Sequence, residues 1–260
     1  MRRLLLLFLA LAATAFAAGC GSSATKSGTG TVRVSLTDAP ADFDSVILVI
    51  REVAVHREGA DGTGWTSFVP DSSRYDLLRL TNGVFAGLGE VLVDAGHYTQ
   101  VRLLLDPGSY VVENGVRRDL IIPSGLQTGL KLVGEFDVQP GMTVDLGIDF
   151  NAAHSFVETG SGKLMLKPTV KVHVLNLTGS ISGVVQPADP ASTVYAIAGA
   201  DTVGAVVTGT SGEFTLSLLP GGSYTVAIDA PAAYRDTSLA GVAVTAGMVT
   251  NVGTVTLQAQ

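Results

Sequence analysis

The sequence predicts an all-β protein, with two tandem antiparallel β-sandwich domains behind a signal peptide and a flexible tether. Apolar and polar residues alternate with period two in one segment after another, and glycine and proline punctuate those segments at close spacing. No stretch sustains a capped helical stripe for three turns.

At the amino end, Arg2 and Arg3 give a short positive start, and Leu4 to Ala13 form an unbroken apolar run. Small residues follow, ending in Ala17-Ala18-Gly19-Cys20. This is the layout of a secretory signal covering residues 1–19, its apolar run too short for a bilayer span, which needs about 20 residues. Ala17-Ala18-Gly19-Cys20 resembles the lipobox of bacterial lipoproteins, with alanine where leucine is commoner. The resemblance implies cleavage before Cys20 and acylation of its thiol by fatty-acyl chains such as palmitate. Cys20 is the only cysteine, so no disulfide is available and a free thiol in an oxidising compartment would be a liability. An ordinary A-x-A cleavage, leaving a secreted free thiol, is the competing reading.

Residues 20–30 continue as GSSATKSGTG after the cysteine, a stretch unable to bury surface and expected to act as a tether. Gly21 and Ser22, with no aspartate after the cysteine, suggest sorting to the outer membrane. Losing Arg2 and Arg3 leaves 14 basic residues against 23 acidic, a net charge of −9. That balance argues against nucleic acid as a partner. The expected partners are the membrane, through the lipid anchor, and a glycan or an envelope protein.

Strands follow in order. Val32, Val34 and Leu36 alternate with Arg33, Ser35 and Thr37, so one face is apolar and the other polar. Val46 to Ile50 is apolar throughout, as in a central strand covered on both faces. Arg74 to Leu80 is the best candidate for one short helix. Asn114-Gly115 between Tyr110-Val111-Val112 and Val116 signals a two-residue hairpin. Val170, Val172 and Val174 form another alternating strand. Composition then shifts near Leu175: Thr178 to Gln260 contains no lysine and one arginine, Arg235. Asn176 to Gly179 reads as a short linker, dividing a domain at 31–175 from one at 178–260.

In the second domain, Phe214, Leu216 and Leu218 alternate with Thr215 and Ser217. The strand ends at Pro220-Gly221-Gly222, and the next begins with an inward Tyr224. This pattern resembles the carboxypeptidase regulatory-like (transthyretin-like) sandwich, grouped with starch-binding-like folds. Upstream, Gly96-His97-Tyr98-Thr99 before Val101-Arg102-Leu103 echoes Gly222-Ser223-Tyr224-Thr225 before Val226, as two related sandwiches in tandem would; shared turn chemistry is the alternative.

Residues 31–175 resemble a bacterial domain of uncharacterised function, DUF4382. The carrying stretches are Leu36-Thr37-Asp38-Ala39-Pro40, Tyr75-Asp76-Leu77-Leu78, Ala95 to Arg102, Pro123-Ser124-Gly125 with Gly129-Leu130-Lys131, and Leu166-Lys167-Pro168. Where that family tends to read Asp-Phe-Asp, this chain has Asp149-Phe150-Asn151, which removes one anionic ligand. The resemblance implies a lipoprotein β-domain and assigns no activity.

Catalytic motifs fail on inspection, and the expectation is a protein that is not an enzyme. His56, His97, His154 and His173 make no H-E-x-x-H, and Gly179-Ser180-Ile181-Ser182-Gly183 has isoleucine where a nucleophile elbow needs serine. Gly160-Ser161-Gly162-Lys163 is followed by leucine and fails as a phosphate loop. Two binding chemistries remain. Asp38, Asp42 and Asp44 crowd one loop, while Asp145 and Asp149 flank another strand end. Together they are a candidate Ca2+ site, the one candidate cofactor. The bland alternative is an Asx-turn at Asp38 with the rest solvated. Carbohydrate platforms present exposed aromatics, for which Trp65, Tyr195 and Tyr234 are the candidates. The leading expectation is a lipid-anchored binding or structural module of the cell envelope. The alternatives are a carbohydrate-binding lipoprotein and a calcium-stabilised adhesion or assembly domain.

Overall fold

The computed structural model describes residues 28–59, 64–123 and 129–260. The signal segment, Cys20 and the tether up to residue 27 lie outside the described residues. Among the described residues there are strands and short 3-10 turns, and no α-helix.

The buried side chains form two clusters. One is drawn from Val32 to Leu166, the other from Ile181 to Leu257. The first is enclosed by two sheets. The smaller runs β13 (Val170–Val174), β10 (Thr143–Phe150), β1 (Thr29–Asp38), β5 (Ala86–Asp94). The larger is centred on β2 (Ser45–Arg57), with β6 (Gly96–Leu105) and β9 (Leu130–Val138) on one side. On the other lie β7 (Tyr110–Glu113), β8 (Val116–Ile121), β12 (Leu164–Leu166) and β11 (Phe156–Glu158). Short strands β3 (Trp65–Phe68) and β4 (Arg74–Asp76) also pair with β2. Around the second cluster, β17 (Glu213–Pro220), β14 (Thr178–Gln186) and β20 (Val249–Thr256) face β16 (Asp201–Val207), β15 (Thr193–Ala198), β18 (Gly222–Asp229) and β19 (Thr237–Val244).

The alternation sets the burial. Val32, Val34 and Leu36 are fully buried while Arg33 stays exposed. At about 1.5–3 kcal/mol for each such side chain, this face is a main reason β1 sits where it does. Val46, Leu48 and Ile50 are likewise sealed in the middle of the larger sheet. Asn114 and Gly115 both take positive φ (51° and 73°), as a type I′ hairpin between β7 and β8 requires. Asp44 fastens that turn by accepting a 2.7 Å hydrogen bond from the Gly115 N–H.

Three expectations need correction. Arg74 to Leu80 is no helix: Arg74–Asp76 pairs with β2, and only Leu77–Arg79 makes a single 3-10 turn, because burying Tyr75 and Leu77 on the sheet wins over local propensity. The sheets are not wholly antiparallel, since β1 runs parallel to β10 and β14 parallel to β20. The segment Asn176 to Gly179 is not slack. Leu175–Leu177 makes a 3-10 turn and β14 begins at Thr178. A Cβ on Gly179 would strike the carbonyl oxygens of Thr245 and Met248.

The echo between the halves extends to the whole topology. Strands β1, β2, β3, β5, β6, β9 and β10 pair with one another as β14, β15, β16, β17, β18, β19 and β20 do. Details repeat too. Thr31 N–H donates to the Met142 carbonyl and Gly141 N–H to the Thr29 carbonyl, just as Ser180 N–H donates to Met248 and Gly247 N–H to Thr178. Tyr98 Oη donates to the Asp94 carbonyl at 2.8 Å, and Tyr224 Oη to the Pro220 carbonyl at 2.7 Å, each reaching back four residues. The first half carries β4, β7 and β8 as insertions into this shared plan, and after it β11 and β12 beside β8 and β13 as an added edge strand on β10.

Candidate functional site

The outward face of the smaller first-half sheet is polar because its odd-numbered β1 residues point that way. Cross-strand register sets the rows. Arg33 stands beside Asp145 and Glu90, Ser35 beside Gly147 and His173, and Thr37 beside Asp149 and Lys171. Arg33 binds Glu90 at 3.2 Å and Asp145 at 3.0 Å. The other two rows are largely covered, with Lys171 at their exposed end. Strands β16 and β17 of the second half stand over them, enclosing a cleft of about 390 Å³. Its first-half wall includes Asp38, Asp149, His154, Lys171 and His173; its second-half wall is Thr202 to Val206 and Thr215 to Leu218.

Asn82 joins the two walls. It sits at φ 58°, followed by Gly83 at 79°. Its Oδ1 accepts from the Thr215 N–H at 2.5 Å, and its Nδ2 donates to the Glu213 carbonyl at 3.4 Å. A Cβ on Gly83 would come within 2.8 Å of Thr215 Cγ2, so glycine permits both the turn and the close approach. The Asn82-Gly83 dipeptide is itself a turn signal in the sequence, but nothing local says that the turn grips a strand more than 130 positions later.

Asp38 is the most unusual group in the cleft. It is 6% exposed, and its Oδ1 accepts a 2.9 Å hydrogen bond from the Ala152 N–H, while its Oδ2 is sealed from solvent with no hydrogen-bond partner. Burial pushes its carboxyl up to about 8, against the pull of the Ala152 and Ala39 N–H groups, with Asp149 pushing the same way as burial. Asp149 is raised to about 6 by burial and held back by Lys171. Burial holds His173 below its usual range, with Lys171 adding to the effect, and its Nε2 is buried without a partner. Asp38 is thus held in its acid form and His173 in its neutral form at neutral pH, three cross-strand rows apart, while Asp149 stands across from Lys171.

The five aspartates expected to converge are dispersed. Asp38 and Asp149 share the cleft, Asp145 is held by Arg33, Asp44 closes the β7–β8 hairpin, and Asp42 is exposed. Among the described residues no group of three or more His, Cys, Asp or Glu is placed to hold a metal ion. Nor does Asp38 make a local Asx-turn, since its carboxylate reaches across the sheet to Ala152. Asn151, where a second anionic ligand was missed, caps a turn by accepting from the His154 N–H at 3.2 Å.

The aromatic candidates lie apart. Trp65 has the Arg102 guanidinium 3.7 Å above its ring and His56 tilted against it at 4.8 Å, so a sugar has no free access to the face under Arg102. Tyr234 packs against the second core. Tyr195 lines a shallow depression of about 410 Å³ with Asp229, Asp236, Thr237 and Ser238.

Among solved structures, a cohesin–X-dockerin complex from Acetivibrio cellulolyticus matches at 26% identity, TM-score 0.27, over 31% of this chain and 58% of that one. The Bacillus anthracis TIE protein matches at 12% identity, TM-score 0.26, over 89% and 34% respectively. The minor pilin GBS52 of Streptococcus agalactiae matches at 10% identity, TM-score 0.23, over 88% and 96%. The chain thus spans only 58% and 34% of the first two, and at such scores what those proteins assemble into stays with them. No curated protein matches the chain. Residues 29–168 match the family described as Domain of unknown function (DUF4382), more than half of the 260 residues, and the chain belongs to that family.

Proposed function

We propose that this chain is a lipid-anchored, non-enzymatic binding or structural module of the bacterial cell envelope, its second half a carboxypeptidase regulatory-like sandwich. The carrying observation is the amino end. Arg2-Arg3, the apolar run and Ala17-Ala18-Gly19 lead straight to the only cysteine of the chain. Residues 21–27 add a Gly/Ser/Thr spacer before β1 begins at Thr29. The duplicated pairing plan supports a sandwich of the same kind in both halves. Of the imidazoles of the cleft, His154 Nδ1 is engaged by Asn151 at 3.0 Å, and His173 is held below its usual range by burial, with Lys171 adding to the effect.

Acyl chains contribute about 0.8 kcal/mol for each buried methylene, so two or three hold a protein firmly and none leaves it free. Cells fed radiolabelled palmitate should label the wild-type protein and retain it in the outer-membrane fraction. The Cys20→Ser protein should take up no label and either turn soluble or stay unprocessed. A correctly cleaved Cys20→Ser protein that still fractionates with membranes would overturn the reading.

A further inference from the structure

We infer that the end of the second half where β14 begins, built from Leu177, Pro220, Met248 and Val249, rests on the lipid surface to which the chain is anchored. This rests on the reading of Cys20 as the anchor and says which part of the body meets the membrane. Register and hydrogen bonds gather the four residues around the start of β14. Thr178, next to Leu177, pairs with Pro220, and its carbonyl accepts from the Gly247 N–H. Ser180 pairs with Val249, and its N–H donates to the Met248 carbonyl. Leu177 is 65% exposed, Met248 61% and Val249 63%, and Pro220 is exposed beside them.

Single exposed apolar side chains are ordinary, but these stand together on a tip without charge. Residues 176–188, 214–228 and 237–260, which supply the tip, contain no charged side chain, although the chain as a whole is acidic. The first half repeats the turn: Gly141-Met142 takes the place of Gly247-Met248, and Met142 is 59% exposed. That turn marks where the anchored segment joins the body, since a Cβ on Gly28 would come within 2.9 Å of Pro140 Cβ. From Cys20 to Gly28 the chain advances eight residues, a reach of at most about 28 Å, so Gly28 and the turns beside it stay within that distance of the bilayer. The uncharged tip lies at the same end. The Thr37 hydroxyl binds the carbonyls of Leu80 and Val84, on either side of Asn82, and Asn82 holds Thr215 near the late part of β1. A Cβ on Gly147, the cross-strand partner of Ser35, would lie 3.3 Å from Leu218 Cδ2. Strand β17 therefore runs back along the first half, from the level of Thr37 toward that of Thr29, and delivers Pro220 to the anchored end. Asp94, His97 and Asp137 also stand at this end of the first half, so the lipid contact falls to the uncharged tip and Met142. Long, unbranched methionine side chains adapt to an irregular acyl surface, and apolar side chains at the headgroup boundary add to the hold of the anchor.

The test uses the full lipidated protein carrying Met248→Cys, whose thiol is the one left free when Cys20 is acylated. It is labelled with an environment-sensitive fluorophore and reconstituted into phosphatidylcholine vesicles. Ser211→Cys, in the exposed turn leading into β17 at the opposite end, is the reference position. Once flotation shows the protein with the vesicles, the label at position 248 should shift to the blue and be quenched by spin-labelled phosphatidylcholine, while the label at position 211 does neither. Adding Leu177→Asp and Val249→Asp, both at exposed positions, should remove most of that quenching and leave flotation and the melting temperature unchanged. Equal quenching at both positions, or quenching undiminished by the aspartates, would overturn the inference. So would a blue shift that grows with protein density and ignores the spin-labelled lipid, which would give the tip to a second copy of the chain. Protein that floats without quenching at position 248 removes this inference alone, whereas protein that does not float removes the anchor reading and this inference with it.

Discussion

Replacing Asp38 with asparagine isolates the energetic cost of the buried carboxyl. Its folded-state value of about 8 lies above the model-compound 3.8, so the folded protein binds the proton more tightly than the unfolded chain. The contribution to stability is therefore fully present below pH 3.8 and is lost progressively as pH rises toward 8. A gap of about four units at about 1.4 kcal/mol each sets a ceiling of about 6 kcal/mol, and the polarisable surroundings of a real interior reduce this to about 2–4 kcal/mol. Asparagine keeps an oxygen for the Ala152 N–H and never ionises. At pH 4 the two proteins should unfold at nearly the same urea concentration. At pH 8 Asp38→Asn should be the more stable by about 2–4 kcal/mol. Trp65 is the only tryptophan of the chain and sits in the first half, so its fluorescence follows the unfolding of the half that holds Asp38. Unfolding curves of wild type and variant that shift in parallel from pH 4 to pH 8 would refute the argument.

Other expectations rest on separate contacts. Asn82→Ala removes both hydrogen bonds that Asn82 makes to β17 and puts alanine at φ 58°, and should cost about 1–3 kcal/mol, seen in calorimetry as two separating transitions. Tyr98→Phe should lower the tryptophan-detected transition by about 1 kcal/mol, while Tyr224→Phe should leave that transition alone and shift only the far-ultraviolet signal of the second half. Gly179→Ala and Gly30→Ala each drive a methyl into a pair of carbonyl oxygens and should each cost at least about 1–3 kcal/mol in urea titration, in different halves.

Much of the architecture is legible in the sequence because period-two burial is a local property. Val32, Val34 and Leu36, the Asn114-Gly115 turn and the inward Tyr224 each announce themselves within a few residues. Strand direction is not local, and the alternation of β1 is the same whether its neighbour runs parallel or antiparallel. Arg74 to Leu80 shows how a short apolar run serves strand and turn equally well. The aspartates were misleading for a related reason. Closeness in sequence brings Asp42 and Asp44 near Asp38, yet the pleat and the loop send them to solvent, to a hairpin and to the interior respectively. The cleft is the least legible feature, since it needs β1, β10 and β13 to be laid side by side and then covered by strands from the other half.

Pairing of β1 with β10, and of β14 with β20, fixes the order in which this chain can finish folding as it is synthesised. The edge of β1 facing Thr143 to Phe150 stays empty until more than a hundred further residues have been made, and β14 waits in the same way for β20. Contacts so distant in sequence form slowly, because the intervening loop must close before they return any energy. A chain emerging from the ribosome therefore cannot lock its first half early, whatever the strength of the local hairpins. On the proposed envelope reading, such a delay suits a chain that must be threaded across a membrane before it folds. The second half, shorter and nearly free of insertions, then closes last, drawing β16 and β17 over a face that the first half has already completed.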